Sequence, residues 1–257
     1  MYETIKVEVT NQVAWIKLSR PYKLNAITAQ MNKEILQSVK AAGKNDQVRC
    51  IVITGEGRAF CSGQDLTGVN EDMDHGKVLR DLYNPMVLEI HHCDKPVIAA
   101  VNGVAAGAGM SLALACDFRL LSEKASFVES FIHVGLVPDA GNLYFLPKLI
   151  GHAKALELAI LGEKINSSQA EELGLATKVF NDNIWQEEVA SFAERLAALP
   201  TTAISLIKKN LKSSWNITFA DSLEKDAQSQ RIAGMTSDHK EGVKAFIEKR
   251  KPSFQGR

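Results

Sequence analysis

The chain has 257 residues, 46% of them hydrophobic, and its 30 basic and 30 acidic side chains leave a formal net charge of zero. That length suits one large domain, or one domain with an appendage; the balanced charge gives no strong basic face for nucleic acid, although a local Lys or Arg cluster would still serve coenzyme A or nucleotide phosphates. Four cysteines without metal-ligand spacing, an N-terminus without a signal-peptide core and the lack of a membrane-length apolar run predict a reduced, soluble, cytoplasmic protein.

Ile5-Lys6-Val7-Glu8-Val9 alternates in polarity and Val13-Ala14-Trp15-Ile16-Lys17-Leu18 follows Asn11-Gln12, which predicts an opening hairpin. Arg20-Pro21-Tyr22-Lys23-Leu24-Asn25-Ala26 breaks it. Thr28 reads as the N-cap of a helix with Met31, Ile35, Leu36 and Val39 on one face. Val48-Arg49-Cys50-Ile51-Val52-Ile53-Thr54 is a compact strand, and it leads into a Gly-centred loop, Arg58-Ala59-Phe60-Cys61-Ser62-Gly63-Gln64-Asp65-Leu66. The polar stretch 67–75 reads as a mobile loop, and 76–92 as a helix that Pro85 can kink. His91-His92 beside Cys93 reads as the end of that helix rather than a metal site.

A second strand, Pro96-Val97-Ile98-Ala99-Ala100-Val101, ends at Asn102-Gly103 and runs into Val104-Ala105-Ala106-Gly107-Ala108-Gly109-Met110. Apolar, helix-forming sequence resumes at Met110, so the small-residue run sits where a loop becomes a helix N-terminus. Gly107 and Gly109 there either permit tight packing or let a ligand oxygen approach free backbone N–H groups. Two strand-loop-helix units in series predict parallel strands joined by right-handed helical crossovers, an α/β arrangement. Farther on, Asp139 in Gly135-Leu136-Val137-Pro138-Asp139-Ala140-Gly141-Asn142 is either a turn former or an acid tuned by a dry pocket.

A short strand is predicted over 118–121, with helices over 153–161, 167–173 and 185–199. Amphipathic helices follow over 203–212, 219–232 and 240–249. The chain thus changes from mixed α/β to all-helical near residue 195, dividing it into 1–195 and 196–257.

These landmarks resemble the crotonase superfamily, the enoyl-CoA hydratases and isomerases, over essentially the whole chain. The matching motifs are Arg20-Pro21 with Asn25-Ala26, the run 58–66, Lys95-Pro96-Val97-Ile98-Ala99-Ala100-Val101-Asn102-Gly103, Cys116-Asp117, and Glu241-Gly242-Val243-Lys244-Ala245-Phe246. The resemblance implies a spiral of ββα repeats forming an acyl-CoA-binding core, then a helical region used to form trimers or pairs of trimers. It implies an acyl-CoA thioester substrate and no cofactor beyond the coenzyme A that the substrate carries. Carried over residue by residue, the amides of Gln64 and Ala108 hold the thioester oxygen. Ser62, Asp65 and Leu66 line the coenzyme side, Lys23 and Arg58 are the nearest cations for its phosphates, and Gly107, Ser111 and Phe131 line the acyl side.

Hydratases of this family carry glutamates where Ser111 and Phe131 stand, and the lack of that pair puts ordinary hydration in doubt. Asp139 stands where family isomerases carry an acid, and moving a proton between carbons needs only one. The chain resembles in particular a branch that isomerises the ring epoxide of phenylacetyl-CoA to an oxepin thioester; the shared-looking runs are 60–66, 104–109 and 135–139, and Arg231-Ile232-Ala233-Gly234. Asn142 departs from a family glycine. Glu129, two residues before Phe131, would face the same way in an extended segment, as a second acid. The alternatives are an enoyl-CoA hydratase or Δ3-Δ2-enoyl-CoA isomerase of fatty-acid β-oxidation, and a non-catalytic coenzyme A-binding protein. A further rival is a serine hydrolase, because Gly109-Met110-Ser111-Leu112-Ala113 approximates a nucleophile elbow with Asp139 and His152 or His239 downstream.

Overall fold

The computed structural model describes residues 2–68 and 72–257. The opening hairpin pairs β1 (Ile5–Thr10) with β2 (Val13–Leu18), and Asn11 and Gln12 both take positive φ, as a two-residue turn between twisted strands requires. Helix α1 (Ala29–Lys44) starts where Thr28 Oγ1 accepts from the Met31 amide at 3.1 Å. From there each turn of chain contributes one strand to each of two sheets. β3 (Cys50–Gly55) is followed by β4 (Ala59–Cys61), β5 (Val97–Val101) by β6 (Val104–Ala106), and β7 (Phe118–Ser122) by β8 (Ser126–Val128). The first of each pair lies in a six-stranded sheet ordered β1-β2-β3-β5-β7-β10, with β10 at Lys178–Phe180; the second lies in a four-stranded sheet ordered β4-β6-β8-β9, with β9 at Lys164–Asn166. All pairings are parallel except β1 with β2 and β8 with β9.

The expected spiral of ββα turns is therefore the observed architecture. Its large sheet is covered on both faces, which is why β3 and β5 read as unbroken apolar runs. Cys50 and Val52 face α8 (Trp185–Ala197) through Trp185, Val189, Phe192 and Ala193, whereas Ile51 and Ile53 face the main core with Ile35, Val39 and Val101. Because α8 covers the sheet with Leu196 and Ala197 as well, a division between residues 195 and 196 would cut a core helix.

The remaining helices are α2 (His75–Val78), α3 (Asn84–His92), α4 (Ala108–Ala115), α5 (Asn142–Ile150), α6 (His152–Leu161), α7 (Ser167–Glu172), α9 (Thr201–Ser214), α10 (Phe219–Gly234) and α11 (Ser237–Ile247). Between α2 and α3 the chain does not kink at Pro85. It widens into a π turn over Leu79–Tyr83, with the Asn84 amide on the Leu79 carbonyl, just before the residue that has no N–H to give. The polar loop expected over 67–75 includes residues 69–71, which lie outside the described residues. The three terminal helices are tied to the core by Arg49, which donates to the Leu199 carbonyl at 2.6 Å and the Phe254 carbonyl at 2.7 Å. All four cysteines are buried and unpaired, and among the described residues no helix is long and apolar enough to cross a membrane.

Candidate active site

The site is assembled from the two Gly-centred loops, and the motif around Arg20 sets the first of them. Asn25 is fully buried with φ +56, and its side chain accepts from the Arg20 amide and donates to the carbonyls of Glu56 and Ala59. Arg20 donates to the Ala26 carbonyl at 2.6 Å and pairs with Asp65 at 2.7 Å. This clamp fixes Ile27, whose amide donates to the Gly63 carbonyl at 2.7 Å and whose carbonyl accepts from the Asp65 amide at 2.8 Å. Those two bonds straddle Gln64. In a parallel bridge of this kind the straddled residue's own N–H points to the opposite edge, here toward β6 and α4.

The second loop meets it there. Gly63 has φ +102, and a Cβ on it would lie 3.0 Å from the Ala106 carbonyl oxygen and 3.8 Å from the Ala108 nitrogen. Gly107 turns the chain at φ +50 into α4, whose first residue is Ala108, so the Ala108 amide precedes every intrahelical bond and is free to donate outward. All eight residues of α4 are buried, so this N-terminus acts in a dry surrounding where its partial positive charge is poorly screened. The two readings of the glycines divide between them. Gly109 is a packing residue, because a Cβ there would come within 2.2 Å of the Cys61 carbonyl oxygen, while Gly107 supplies the turn. The structure thus packs Gly63, the residue before Gln64, against the turn that starts α4 at Ala108.

Asp139 sits in the turn before α5, where Ala140 and Gly141 both take positive φ and the Asn142 amide closes onto the Asp139 carbonyl at 3.0 Å. The side chain is half-buried, and Oδ1 has no hydrogen-bond partner among the described residues. Loss of water pushes its carboxyl up to about 6, against a small opposing pull from His75 of α2. His75 comes from a distant part of the chain and was not visible in the sequence around Asp139. Glu129, just beyond β8, is fully buried; Oε1 accepts from Asn142 Nδ2 at 2.8 Å and Oε2 has no partner among the described residues. Burial pushes this carboxyl up to about 7; the Asn142 bond opposes that shift and the charge of Asp139 adds to it. Asn142 Nδ2 also lies 3.3 Å from Ser111 Oγ, and Ser111 donates in turn to the Gly107 carbonyl.

The remaining sequence-derived residues divide by accessibility. Phe131 is buried against the Gly107 turn, with its ring 3.8 Å from where a Gly107 Cβ would stand. Ser62 and the exposed Leu66 flank the Gln64 loop, as does Asp65, whose carboxylate is occupied by Arg20 and by the Thr67 amide and hydroxyl and is held down at about 2. Lys23 and Arg58 are both exposed on one flank, since Gly57 abuts Pro21. The nucleophile-elbow reading is overturned. Ser111 lies inside α4 rather than on a strand-to-helix turn, is fully buried and bonds Gly107 and Asn142, and both His152 and His239 are exposed. Glu129 and Asn142 are the site groups that the residue-by-residue carry-over omitted. The signal for Glu129 was an acid ending the apolar run Phe127-Val128.

The paired strands, one per sheet per turn, followed by terminal helices, make this a crotonase-fold protein. Enoyl-CoA hydratase subunit I of Geobacillus kaustophilus HTA426 superposes with a TM-score of 0.94 at 35% identity, covering 100% of this chain and 99% of that one. The chain belongs to the enoyl-CoA hydratase/isomerase family, whose model matches residues 8–257. It is 38% identical to the 1,2-epoxyphenylacetyl-CoA isomerase of Escherichia coli K12 over 100% of both chains. It is 40% identical to a Rhodobacter capsulatus protein named "Probable enoyl-CoA hydratase", over 100% of this chain and 99% of the relative.

Proposed function

We propose that the protein is an acyl-CoA isomerase that shifts a proton through a thioester enolate, and that its substrate is the ring epoxide of phenylacetyl-CoA, converted to the oxepin thioester. The observation that carries this reading is Asp139, a desolvated carboxyl with an oxygen that has no partner among the described residues. The thioester oxygen accepts from the Gln64 and Ala108 N–H groups. Asp139 removes the proton next to the thioester carbon, and charge flows onto the oxygen those amides hold. Each such donor supplies about 10² to 10³ in rate because it strengthens as the charge develops. Ring expansion breaks the C–C bond between the two epoxide carbons by an internal reorganisation of electron pairs that gains or loses no group, and the enolate's electron pair then takes a proton at a remote ring carbon.

Positions 111 and 131 offer a serine and a phenylalanine, which can neither activate water nor protonate a carbon at neutral pH. The full-length likeness to an epoxyphenylacetyl-CoA isomerase supports the same choice. No cofactor is needed beyond the coenzyme A of the substrate, and buried, unpaired cysteines suit the reducing cytoplasm. Enoyl-CoA hydration is the second reading, favoured by the buried acid Glu129. The test is α-deuterium exchange into phenylacetyl-CoA together with turnover of its ring epoxide. Both are expected in the wild type, with a loss of about 10² to 10⁴ in Asp139→Asn. Rapid hydration of crotonyl-CoA that Asp139→Asn leaves intact would overturn the reading.

A further inference from the structure

Glu129 has no part in a single-acid mechanism, yet its surroundings are not those of a structural carboxylate. Elsewhere in this chain buried carboxylates have both oxygens bonded. Glu34 accepts from the Glu3 amide and Gln30 on one oxygen and from the Thr4 amide and hydroxyl on the other; Asp238 accepts from the amides of Gln255 and Gly256. Glu129 is as deeply buried, but its Oε1 bonds only Asn142 and its Oε2 bonds nothing among the described residues. A buried polar atom left unpaired costs about 1 to 3 kcal/mol, and packing alone gives no reason to keep one.

The direction of the single bond matters. With Asn142 Nδ2 donating, Oε1 accepts and Oε2 is the oxygen left to carry a proton; Asn142 Oδ1 is likewise without a partner among the described residues. Ser111 Oγ takes the second hydrogen of the same NH₂, which fixes the amide plane. Asp139, the other acid here with a free oxygen, stands within the electrostatic reach of Glu129, and two nearby carboxyls do not both ionise readily. The electrostatic influence of His75 on Asp139 favours the ionised form of that carboxyl. The pair is therefore divided into a base and an acid.

We propose that Glu129 is a second proton-transfer group, held by Asn142 as a positioning residue, so that the proton that Asp139 removes is not the proton the product receives. The inference rests on the isomerase reading above. In the forward step the α C–H bond breaks, its proton goes to Asp139, and its electron pair enters the enolate. The pair then forms a new C–H bond at the remote carbon with the proton leaving Glu129 Oε2, and the negative charge ends on Glu129. After product release Asp139 gives up one proton to solvent and Glu129 regains one.

The experiment uses trans-3-hexenoyl-CoA carrying deuterium at C2, with the 2-enoyl product analysed by mass spectrometry. In wild type, deuterium is expected at C2 and nearly absent at C4. Glu129→Gln keeps the shape and the Asn142 contact, so it should fold; turnover should fall by about 10²-fold, with deuterium now appearing at C4 because Asp139 must return what it took. Asn142→Ala should move both readouts the same way by less. Turnover with unchanged rate and unchanged label in Glu129→Gln overturns the proposal alone. Wild-type failure on both this probe and the ring epoxide overturns the isomerase reading and the proposal with it. Hydration of crotonyl-CoA that depends on Glu129 more than isomerisation does would make it a water-activating group and also overturn the assignment.

Discussion

Removing the charge of Asp139 should stabilise the protein while abolishing its chemistry, and the gain should depend on pH. In the unfolded chain the carboxyl titrates at its ordinary 3.8; in the fold, loss of water holds it at about 6. A carboxyl whose folded value is raised favours folding less when ionised. The penalty is absent below about pH 4, where both states are protonated, grows between pH 4 and 6, and is complete above 6. Its ceiling is about 3 kcal/mol at 1.36 kcal/mol per pH unit, and the water that still reaches part of this side chain screens it, leaving about 1 to 3 kcal/mol. Asp139→Asn should therefore raise the urea midpoint at pH 8 without changing the slope m, and show little gain at pH 4.5. For a chain of this size the same gain is a rise in Tm of about 2 to 4 °C per kcal/mol. A variant equally or less stable than wild type at pH 8, or one whose gain is the same at both pH values, would refute the claim that this carboxyl is held in a dry site.

The paired amides can be separated from their side chains. Gln64→Ala should keep most activity, whereas Ala108→Pro should lose about 10² to 10³ in kcat because it deletes the donor, and the fold should tolerate it because proline suits the first position of a helix; equal losses in steady-state assays of the two would count against the assignment. Gly109→Ala places a Cβ 2.2 Å from the Cys61 carbonyl oxygen, so a destabilisation of about 1 to 3 kcal/mol is expected by urea titration, together with loss of activity as α4 is pushed from β4. Asp65→Asn should lower kcat more than it raises KM, because it loosens the Arg20 clamp on the loop that carries the Gln64 amide; a KM effect alone would contradict that role. The terminal helices leave Trp215 68% and Phe246 85% exposed, more apolar surface than a lone chain keeps in water, so light scattering should return the mass of a trimer or a multiple of it, and a monomer at micromolar concentration would refute this.

How far the sequence could be read depended on how locally each feature is determined. β3 and β5 were legible because burial on both faces leaves continuous apolar runs, and the loop between Cys61 and Leu66 because glycine with positive φ marks itself. The strands of the small sheet that carry those loops are three residues long, too short for an alternation to register, so only the family resemblance suggested a second sheet. The π turn over Leu79–Tyr83 was read as a kink at Pro85 because the sequence shows the missing N–H but not which carbonyl the preceding amide will choose.

The acids mark the limit more sharply. Glu34 follows the polar pair Asn32-Lys33 and Glu129 follows the apolar pair Phe127-Val128, and neither neighbourhood says which donors the fold will bring to the acid. What separates them is tertiary. The amides of residues 3 and 4 close over Glu34 and hold its charge in place, while α5 brings the Asn142 side chain to one oxygen of Glu129 and leaves the other without a partner among the described residues. The role of each carboxyl follows from the donors that the fold delivers to it rather than from its own position in the chain. Asn142 thus says more about the site than Glu129 itself, because its NH₂ is the donor that makes a buried acid at 129 tolerable.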